Sequence, residues 1–324
     1  MGLRLSAAGQ AFVKESNEQP WMVAAAALGL VVAAWGSLEL APTNRGNSET
    51  EQPMASLVLP SELSGFDPVL WFLPDDGLLG FVEIVGGSFT MGSDPETDSL
   101  AFDAERWSGD RAQGLVELPT FYMSRYEVTV AQFTAFVRAT GYRVGDSRAL
   151  QSGPNHPVAR VSWTDALAYT RWLDTTLMAS QSTPALVSDR FGEGWHIELP
   201  TEAQWEKAAR GTDGRIYPWG DKAQSEYANY RARETTPVGS FPCAACANNL
   251  EDMSGNVWEW TRSPYQAYPY DPSDDLDDLE GDALWVMRGG SFGDPEQHIR
   301  AANRGGADPG VRRPFIGFRL VLTR

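Results

Sequence analysis

An uncharged apolar stretch near the N-terminus limits most strongly what this chain can fold into: residues 21–38 read WMVAAAALGLVVAAWGSL. As an α-helix this stretch rises about 27 Å, close to the thickness of the hydrocarbon core of a bilayer. Its Ala, Val and Leu side chains leave no polar face for water, and Pro20 suits a first helical position. We therefore expect an N-terminal segment at 1–20 and one transmembrane helix at 21–41.

A cleaved signal peptide is the alternative interpretation of the same stretch. Its leading segment would contain Glu15 and Glu18, and Pro42 would directly follow the cleavage site. Signal peptides have a basic leading segment and small residues at the cleavage site. The sequence therefore favours a retained anchor over a cleaved leader.

Basic residues set the expected orientation of this anchor. Arg4 and Lys14 precede the apolar stretch, and only Arg45 follows it closely. Positively charged flanks stay on the cytoplasmic side of a membrane. We therefore expect a single-pass membrane protein with a cytoplasmic N-terminus and a periplasmic or otherwise extracytoplasmic main domain.

Charge and composition narrow the partners of that domain. The 324 residues carry 26 Lys and Arg against 43 Asp and Glu, a net charge of −17, which repels nucleic-acid phosphates. Hydrophobic residues make up 42% of the chain, enough for a packed core. A linker is expected at 42–77. Its aromatic patch offers Trp71 and Phe72 either for packing on the domain or for contact with a partner.

The main domain is expected at 78–324 and contains three helix start signals. Each is a capping box, formed by Thr129 with Gln132, Ser162 with Asp165, and Thr201 with Gln204. Gly86 and Gly87 lie between two apolar runs and predict a hairpin. After residue 211, short strand-like runs alternate with Gly, Pro and Asn. The pattern predicts an α+β fold with two or three helices and short antiparallel strands.

Eight sequence blocks follow one another between Leu78 and Leu322: GGSFTMGS, YEVTVAQFTAFV, HPVARVSWTDALAYTRWL, LPTEAQWEKAARG, YPWGD, NNLEDMSGNVWEW, RGGSF and GFRLVL. In this order they resemble the formylglycine-generating-enzyme (sulfatase-modifying factor) family. The resemblance implies an irregular fold related to C-type lectins. Capped helices and short strands agree with that fold.

The same resemblance draws attention to a missing chemical group. The oxygen-dependent enzymes of the family use two cysteines shortly after the RGGS-like block, and soft thiolates suit copper(I). Here no cysteine follows Arg288, and Asp294 falls near the first family cysteine. Ser291 matches a family active-site serine but has no base beside it in sequence. We therefore expect no copper, no formylglycine generation and no catalytic residue.

The resemblance also implies calcium, bound at the GNVWEW block by Gly255, Asn256, Val257 and Glu259. Along a strand Glu259 alternates with two tryptophans, so its carboxylate faces away from both rings. It then either binds a cation or forms hydrogen bonds. A second family site would use Asn229 and Tyr230, but the loop after them lacks the acidic ligand expected there.

Two further motifs leave several interpretations open. Cys243 and Cys246 are the only cysteines of the chain. An extracytoplasmic location favours a disulfide between them, against free thiols, catalysis or a metal site. Residues 271–282 hold seven acids and no base, typical of a solvated loop. Such a loop also suits a loosely bound cation or a basic partner, with contacts at Asp274, Asp275, Asp277 and Asp278.

Three classes of function fit these features. The favoured one is a non-catalytic, membrane-anchored structural or binding subunit of a larger membrane complex, for example a respiratory or photosynthetic one. The alternative is an extracytoplasmic oxidoreductase related to formylglycine-generating enzymes or to siderophore-maturation proteins. The third is a ligand-binding surface similar to phage-type variable lectins. The missing thiol pair, the anchor and the acidic loop favour the first class.

Overall fold

The structure is a computed structural model that describes residues 59–275 and 283–324. The predicted transmembrane helix at 21–41, together with Asp277 and Asp278, lies outside the described residues. Within the two described ranges, no helix is both long and apolar enough to cross a membrane. Four α-helices lie in these ranges: α1 (Val130–Thr140), α2 (Trp163–Ala179), α3 (Ala185–Gly192) and α4 (Glu202–Arg210).

Three of these helices begin where the sequence predicts. Thr129, Ser162 and Thr201 each accept a hydrogen bond from the backbone N–H three residues later, and the side chain at that position bonds back. All three capping boxes are thereby confirmed. Helix α3 is additional: it follows Pro184, and no side chain caps its start. It carries no local start signal, so sequence reasoning missed it.

Short strands form two four-stranded sheets and two small pairs, and the predicted mixed fold of helices and short strands is confirmed. The first sheet has the order β3-β6-β12-β7, and the second has the order β10-β9-β8-β11. β1 pairs with β2, and β4 with β5. The strands are β1 (Phe66–Asp67), β2 (Leu73–Pro74), β3 (Phe81–Ile84), β4 (Gly87–Met91), β5 (Gly114–Leu118), β6 (Phe121–Ser124), β7 (His196–Glu198), β8 (Trp258–Pro264), β9 (Trp285–Arg288), β10 (Arg304–Ala307), β11 (Ile316–Gly317) and β12 (Val321–Thr323).

The hairpin predicted at Gly86 and Gly87 is wrong. β3 pairs with β6, whereas β4 pairs with β5 in a different sheet. Gly86 lies against the chain between β5 and β6, where a Cβ atom would come within 2.8 Å of the Thr120 nitrogen. Gly87 has a φ of 121°, which favours glycine. The two glycines therefore carry the chain from one sheet to another.

The aromatic patch before Leu78 belongs to the domain, so the linker expected at 42–77 ends too late. Phe72 is 3% exposed, and its carbonyl oxygen accepts a hydrogen bond from Gln132 at 2.9 Å. Trp71 packs edge-on against Trp172, with ring centroids 6.0 Å apart. Phe72 is therefore not available for the predicted partner contact, because its side chain is buried against α1.

The core is largely aromatic and is closed by the C-terminal end of the chain. Phe133, Tyr169 and Phe318 pack against one another, and Trp163 stacks on Trp285 at 3.7 Å. Each such ring contributes roughly 1.5–3 kcal/mol when fully buried. β12 lies between β6 and β7 within its sheet. The GFRLVL block thus contributes Phe318 to the core and Arg319 to the surroundings of Glu259.

Candidate functional site

The GNVWEW block enters β8 through a tight turn. Asp252, Gly255 and Asn256 have φ values of 58°, 82° and 56°. A Cβ atom on Gly255 would lie 2.2 Å from the carbonyl oxygen of Asn229, so only glycine allows the two backbones to meet. The Asn229 amide donates to Oδ1 of Asn256 at 3.2 Å. The turn therefore brings both stretches predicted to bind calcium side by side.

Glu259 is completely buried beneath this turn, and a cation of the chain itself pairs with it. Nε and Nη2 of Arg319 donate to its two carboxylate oxygens at 2.6 and 2.7 Å. The indole nitrogen of Trp205 donates to Oε2 at 2.6 Å. Sequence reasoning expected a cation or hydrogen bonds here but missed Arg319, although the GFRLVL block supplies it.

Two further carboxyl groups lie next to this pair without a cation. Glu127 is 1% exposed and Asp252 is 3% exposed. Among the described residues, no donor reaches Oε1 of Glu127 or Oδ1 of Asp252. Burial raises the pKa of Asp252 to about 6. The pKa of Glu127 is raised well above its usual range, mainly by burial and to a smaller extent by the charge of Asp252. Three buried carboxyl groups thus lie near one guanidinium, that of Arg319, which pairs with Glu259 alone.

We call Glu127, Asp252, Glu259 and Arg319 the acidic cluster. Carboxylate and backbone oxygens are the ligands that Ca²⁺ takes, so its orphaned oxygen atoms fit that ion. In the part of the chain that the structure describes, no three His, Cys, Asp or Glu side chains are already arranged around a metal position. Calcium bound here would therefore also need backbone oxygens, such as those predicted for Gly255 and Val257.

The residues of the predicted second calcium site have structural contacts. Asn229 is 5% exposed, and its amide also donates to the carbonyl oxygen of Glu234 at 3.0 Å. Tyr230 packs against a small cluster that includes Trp219 and Cys243. The side-chain amide of Asn229 therefore holds the loop to the GNVWEW turn, and Tyr230 contributes to local packing.

A second constellation lies where the family cysteine would fall. Oδ2 of Asp294 accepts three hydrogen bonds: from Ser291 N at 2.9 Å, from Ser291 Oγ at 2.7 Å and from the Trp258 indole at 2.8 Å. The Trp258 ring also covers Gly305, where a Cβ atom would come within 2.9 Å. A fixed, partly exposed carboxylate therefore occupies this position. The sequence showed no base beside Ser291. Its partner in the structure, Asp294, lies three residues later and reaches the serine because the chain turns between them.

Cys243 and Cys246 form a disulfide with their Cα atoms 5.3 Å apart. They are the only cysteines in the sequence. Cys243 is buried and packs in the cluster around Tyr217 and Trp219. The pair therefore closes a short structural loop.

Arg288 of the RGGSF block lies in a second buried network, which we call the balanced network. Arg288 donates to Glu202 and Glu206. Arg304 binds Glu202 through Nε at 2.6 Å and Nη2 at 2.8 Å, and Arg210 binds Glu206 at 2.9 Å. Two carboxylates thus meet three guanidinium groups, so every acid of this network has a cation.

Of the acidic-loop residues predicted to contact a partner, Asp275 is buried. It is 4% exposed, and the Tyr270 hydroxyl donates to its Oδ2. Burial raises the pKa of Asp275 to about 6. The prediction of a partner contact is wrong for this residue because its side chain faces the protein. Asp274 is partly exposed.

The eight blocks thus converge on one domain with two buried charge networks. Residues 75–324 match the family model of the sulfatase-modifying factor enzyme 1-like domain. The chain belongs to this family. A formylglycine-generating enzyme of Thermomonospora curvata is 28% identical over 315 residues, covering 76% of this chain and 95% of the enzyme. The serine/threonine-protein kinase Pkn1 of Chlamydia trachomatis is 30% identical over 277 residues, 76% of this chain, which spans only 39% of the kinase.

Among solved structures of this fold, PvdO from Pseudomonas aeruginosa is similar to the chain. The two are 30% identical, with a TM-score of 0.60, over 75% of this chain and 94% of PvdO. The family resemblance carried by the eight blocks is confirmed by these matches, and so is the irregular fold.

Proposed function

We propose that this family member works without copper, as a membrane-anchored structural or binding subunit of a larger membrane complex. The observation that carries the proposal is the disulfide: it takes up both cysteines of the chain. At the position of the first family cysteine, Asp294 is held by Ser291 and Trp258 instead. A hard carboxylate does not suit copper(I).

The copper part of this proposal is tested with a peptide substrate. Purified protein is incubated with a sulfatase-type peptide containing cysteine, with and without added copper, and the peptide is analysed for aldehyde by mass spectrometry. We expect no product above background. A Ser291→Ala variant is the matched control, because it removes the family serine without touching the disulfide. Aldehyde formed by the unaltered protein and lost in this variant would overturn the proposal.

The subunit part follows from the predicted anchor at 21–41 and an extracytoplasmic domain. Extraction of native membranes with several mild detergents, followed by sizing, is expected to give a particle larger than the chain and its micelle. A chain deleted for 1–41 is expected to leave the membrane while its domain stays folded, because the core begins after that segment. A full-length chain that runs alone in every detergent contradicts this proposal.

Calcium is the proposed cofactor, at the acidic cluster. Glu127 and Asp252 supply the orphaned oxygens, and Asn256, which lies between Gly255 and Val257 in the chain, donates to Glu127 at 3.3 Å. Bound there, the ion would supply positive charge and hold the turn; it would not take part in a reaction. Direct binding is measured by calorimetry, and an Asp252→Asn variant is expected to lose it. Unchanged binding by this variant rejects the site.

A second candidate is an extracytoplasmic oxidoreductase, because relatives named formylglycine-generating enzyme and the structure of PvdO match most of the chain. This candidate predicts a bound redox metal or organic cofactor. Metal analysis and absorption spectra of protein purified from its native membrane separate the two. Stoichiometric copper or iron favours the oxidoreductase over the subunit.

A further inference from the structure

Contacts around Asp146 bring three arginines together on one surface of the domain. Asp146 binds Arg148 at 2.7 Å and Arg160 at 3.5 Å. The backbone nitrogen of Arg160 donates to the carbonyl oxygen of Arg313 at 2.9 Å. Arg148 and Arg313 are exposed, and Arg160 is partly exposed. The loop that follows α1 and the segment before β11 therefore place positive charge on the same surface.

Two more arginines extend this surface. Arg312 binds both oxygens of Asp165, at 2.9 and 3.0 Å, and the Tyr142 hydroxyl donates to the same carboxylate at 2.8 Å. The Arg312 guanidinium lies against Gly145, where a Cβ atom would come within 2.5 Å of it. Arg143, two residues before that glycine, is exposed. We call the five arginines the basic patch; they are Arg143, Arg148, Arg160, Arg312 and Arg313.

The basic patch keeps an excess of positive charge, although the chain as a whole has a net charge of −17. Asp146 and Asp165 pair with three of its arginines, and within the two described ranges no carboxylate forms an ion pair with Arg143 or Arg313. Asp308 is exposed at the edge of the patch, in the turn before Arg312. A surface where positive charge dominates on an acidic protein selects an anionic partner.

Aromatic rings connect the basic patch to the place where the described chain begins. Phe136 contacts both Tyr142 and Trp172, with ring centroids 4.9 and 5.3 Å away, and Trp172 contacts Trp71. Tyr142, Trp172 and Trp71 are each partly exposed. Trp71 and Leu59 pack on the same small cluster at α1. The first described residue therefore lies at one end of a row of aromatic rings, and the arginines lie at the other end.

We propose that the basic patch, with Trp71 and Trp172 beside it, lies on the headgroups of an anionic phospholipid membrane. Guanidinium groups pair with phosphate through two hydrogen bonds, and tryptophan is enriched at membrane interfaces. The acidic remainder of the protein surface is repelled by the same lipids. The patch therefore sets which side of the domain faces the membrane.

This inference rests on the proposed anchor, because the anchor supplies the proximity. The predicted helix ends at residue 41 and the described domain begins at residue 59, so about 60 Å of extended chain at most separates them. A tether of this length keeps the domain close to the bilayer, where even a weak attraction is sufficient to orient it.

Arginine modification in lipid nanodiscs tests this orientation. The full-length chain is reconstituted in discs of phosphatidylcholine, alone or mixed with phosphatidylglycerol, and treated with phenylglyoxal. Modification of each arginine is followed by mass spectrometry. We expect Arg143 and Arg313 to react several-fold more slowly in the anionic discs, and high salt to remove this difference because it screens the attraction. Arg106 and Arg111, which are exposed in the loop between β4 and β5, serve as internal standards.

Two charge-matched variants make the test specific. An arginine near an anionic membrane surface raises the affinity about fivefold. Combining Arg143→Gln with Arg313→Gln should therefore remove most of the protection of Arg148, whose side chain is 62% exposed. Combining Arg106→Gln with Arg111→Gln removes the same charge from another loop and should leave the protection of Arg148 unchanged.

Three outcomes overturn the proposal. They are equal modification of Arg143 and Arg313 in both kinds of disc, full protection of Arg148 in the variant that lacks those two arginines, and no modification of either arginine in neutral discs. The last outcome would mean that another part of the chain or a bound protein covers the patch. A chain that does not co-elute with neutral discs contradicts the anchor instead, and protection of Arg143 and Arg313 by added anionic vesicles then tests the patch by itself.

Discussion

The balanced network and the acidic cluster are both buried in the same domain, yet their charges are arranged differently. In the balanced network, Glu202 and Glu206 meet Arg288, Arg210 and Arg304. In the acidic cluster, Arg319 neutralises Glu259 alone, while Glu127 and Asp252 keep oxygens without donors. Burial of an unpaired charge is costly, and the group then takes up a proton or a cation.

This difference separates structural charge from charge available for a ligand. Because each acid of the balanced network has a guanidinium, the network holds α4 to β9 and β10 without an added cation. The acidic cluster is completed only by something added, either protons or a cation. We therefore expect calcium and pH to change the stability of the protein through the acidic cluster and not through the balanced network, although both are buried.

The largest expected effect breaks the balanced network. Arg288→Met removes the guanidinium that contacts both Glu202 and Glu206 and leaves each acid with one cation, Arg304 or Arg210; loss of one partner of a buried pair costs up to about 3–5 kcal/mol. The free energy of unfolding, measured by denaturant titration of the detergent-solubilised chain, should fall by that amount with or without calcium. Adding Glu206→Gln to the same chain should restore part of it. A loss that calcium reverses would contradict the assignment.

Calcium should stabilise the protein through the acidic cluster. A ligand of the folded state at a hundredfold excess over its Kd contributes about 2.7 kcal/mol. Melting curves with calcium and with chelator should therefore differ, and Asp252→Asn should remove most of the difference. Glu202→Gln is the matched control from the balanced network and should keep it. If both variants keep the full calcium shift, the ion binds elsewhere.

The helix starts were predictable because each capping box lies within four consecutive residues. Neither charge network could be predicted, because the paired residues come from distant parts of the chain. Glu259 and Arg319, for example, are 60 residues apart. The alternation of Glu259 with two tryptophans predicted which side of the strand its carboxylate faces. It did not predict that Arg319 would pair with that carboxylate. The Gly86-Gly87 signal failed for the same reason, because pairing of β4 with β5 depends on tertiary contacts.

In chelator, the acidic cluster should make the protein less stable as the pH rises. The folded pKa of Asp252 is about 6, raised by burial from 3.8, and that of Glu127 is raised as well. A raised folded pKa contributes stability that is complete below the unfolded pKa and is lost as pH rises through the folded one. On the order of 2 kcal/mol should therefore disappear between about pH 4 and 7.

Calcium should cancel this loss, since the ion replaces the protons. Glu127→Gln and Asp252→Asn, combined, should flatten the dependence in chelator. The measurement is unfolding free energy across that pH range, with the unaltered chain as the reference for general acid effects. A dependence of the same size in the combined variant would assign it to other groups.

The smallest expected effect concerns a pair of the same chemistry at the surface. Arg231 binds Glu296 through two donors, but the two side chains are 61% and 38% exposed. Water solvates both charges before and after the pair breaks, and salt screens their attraction. Arg231→Gln should therefore leave the melting temperature within error of the unaltered protein, in low and in high salt. A clear loss of melting temperature would mean that breaking an ion pair is costly even when water solvates both charges. The destabilisation expected for Arg288→Met would then come from the lost ion pairs, and not from leaving charges buried away from water.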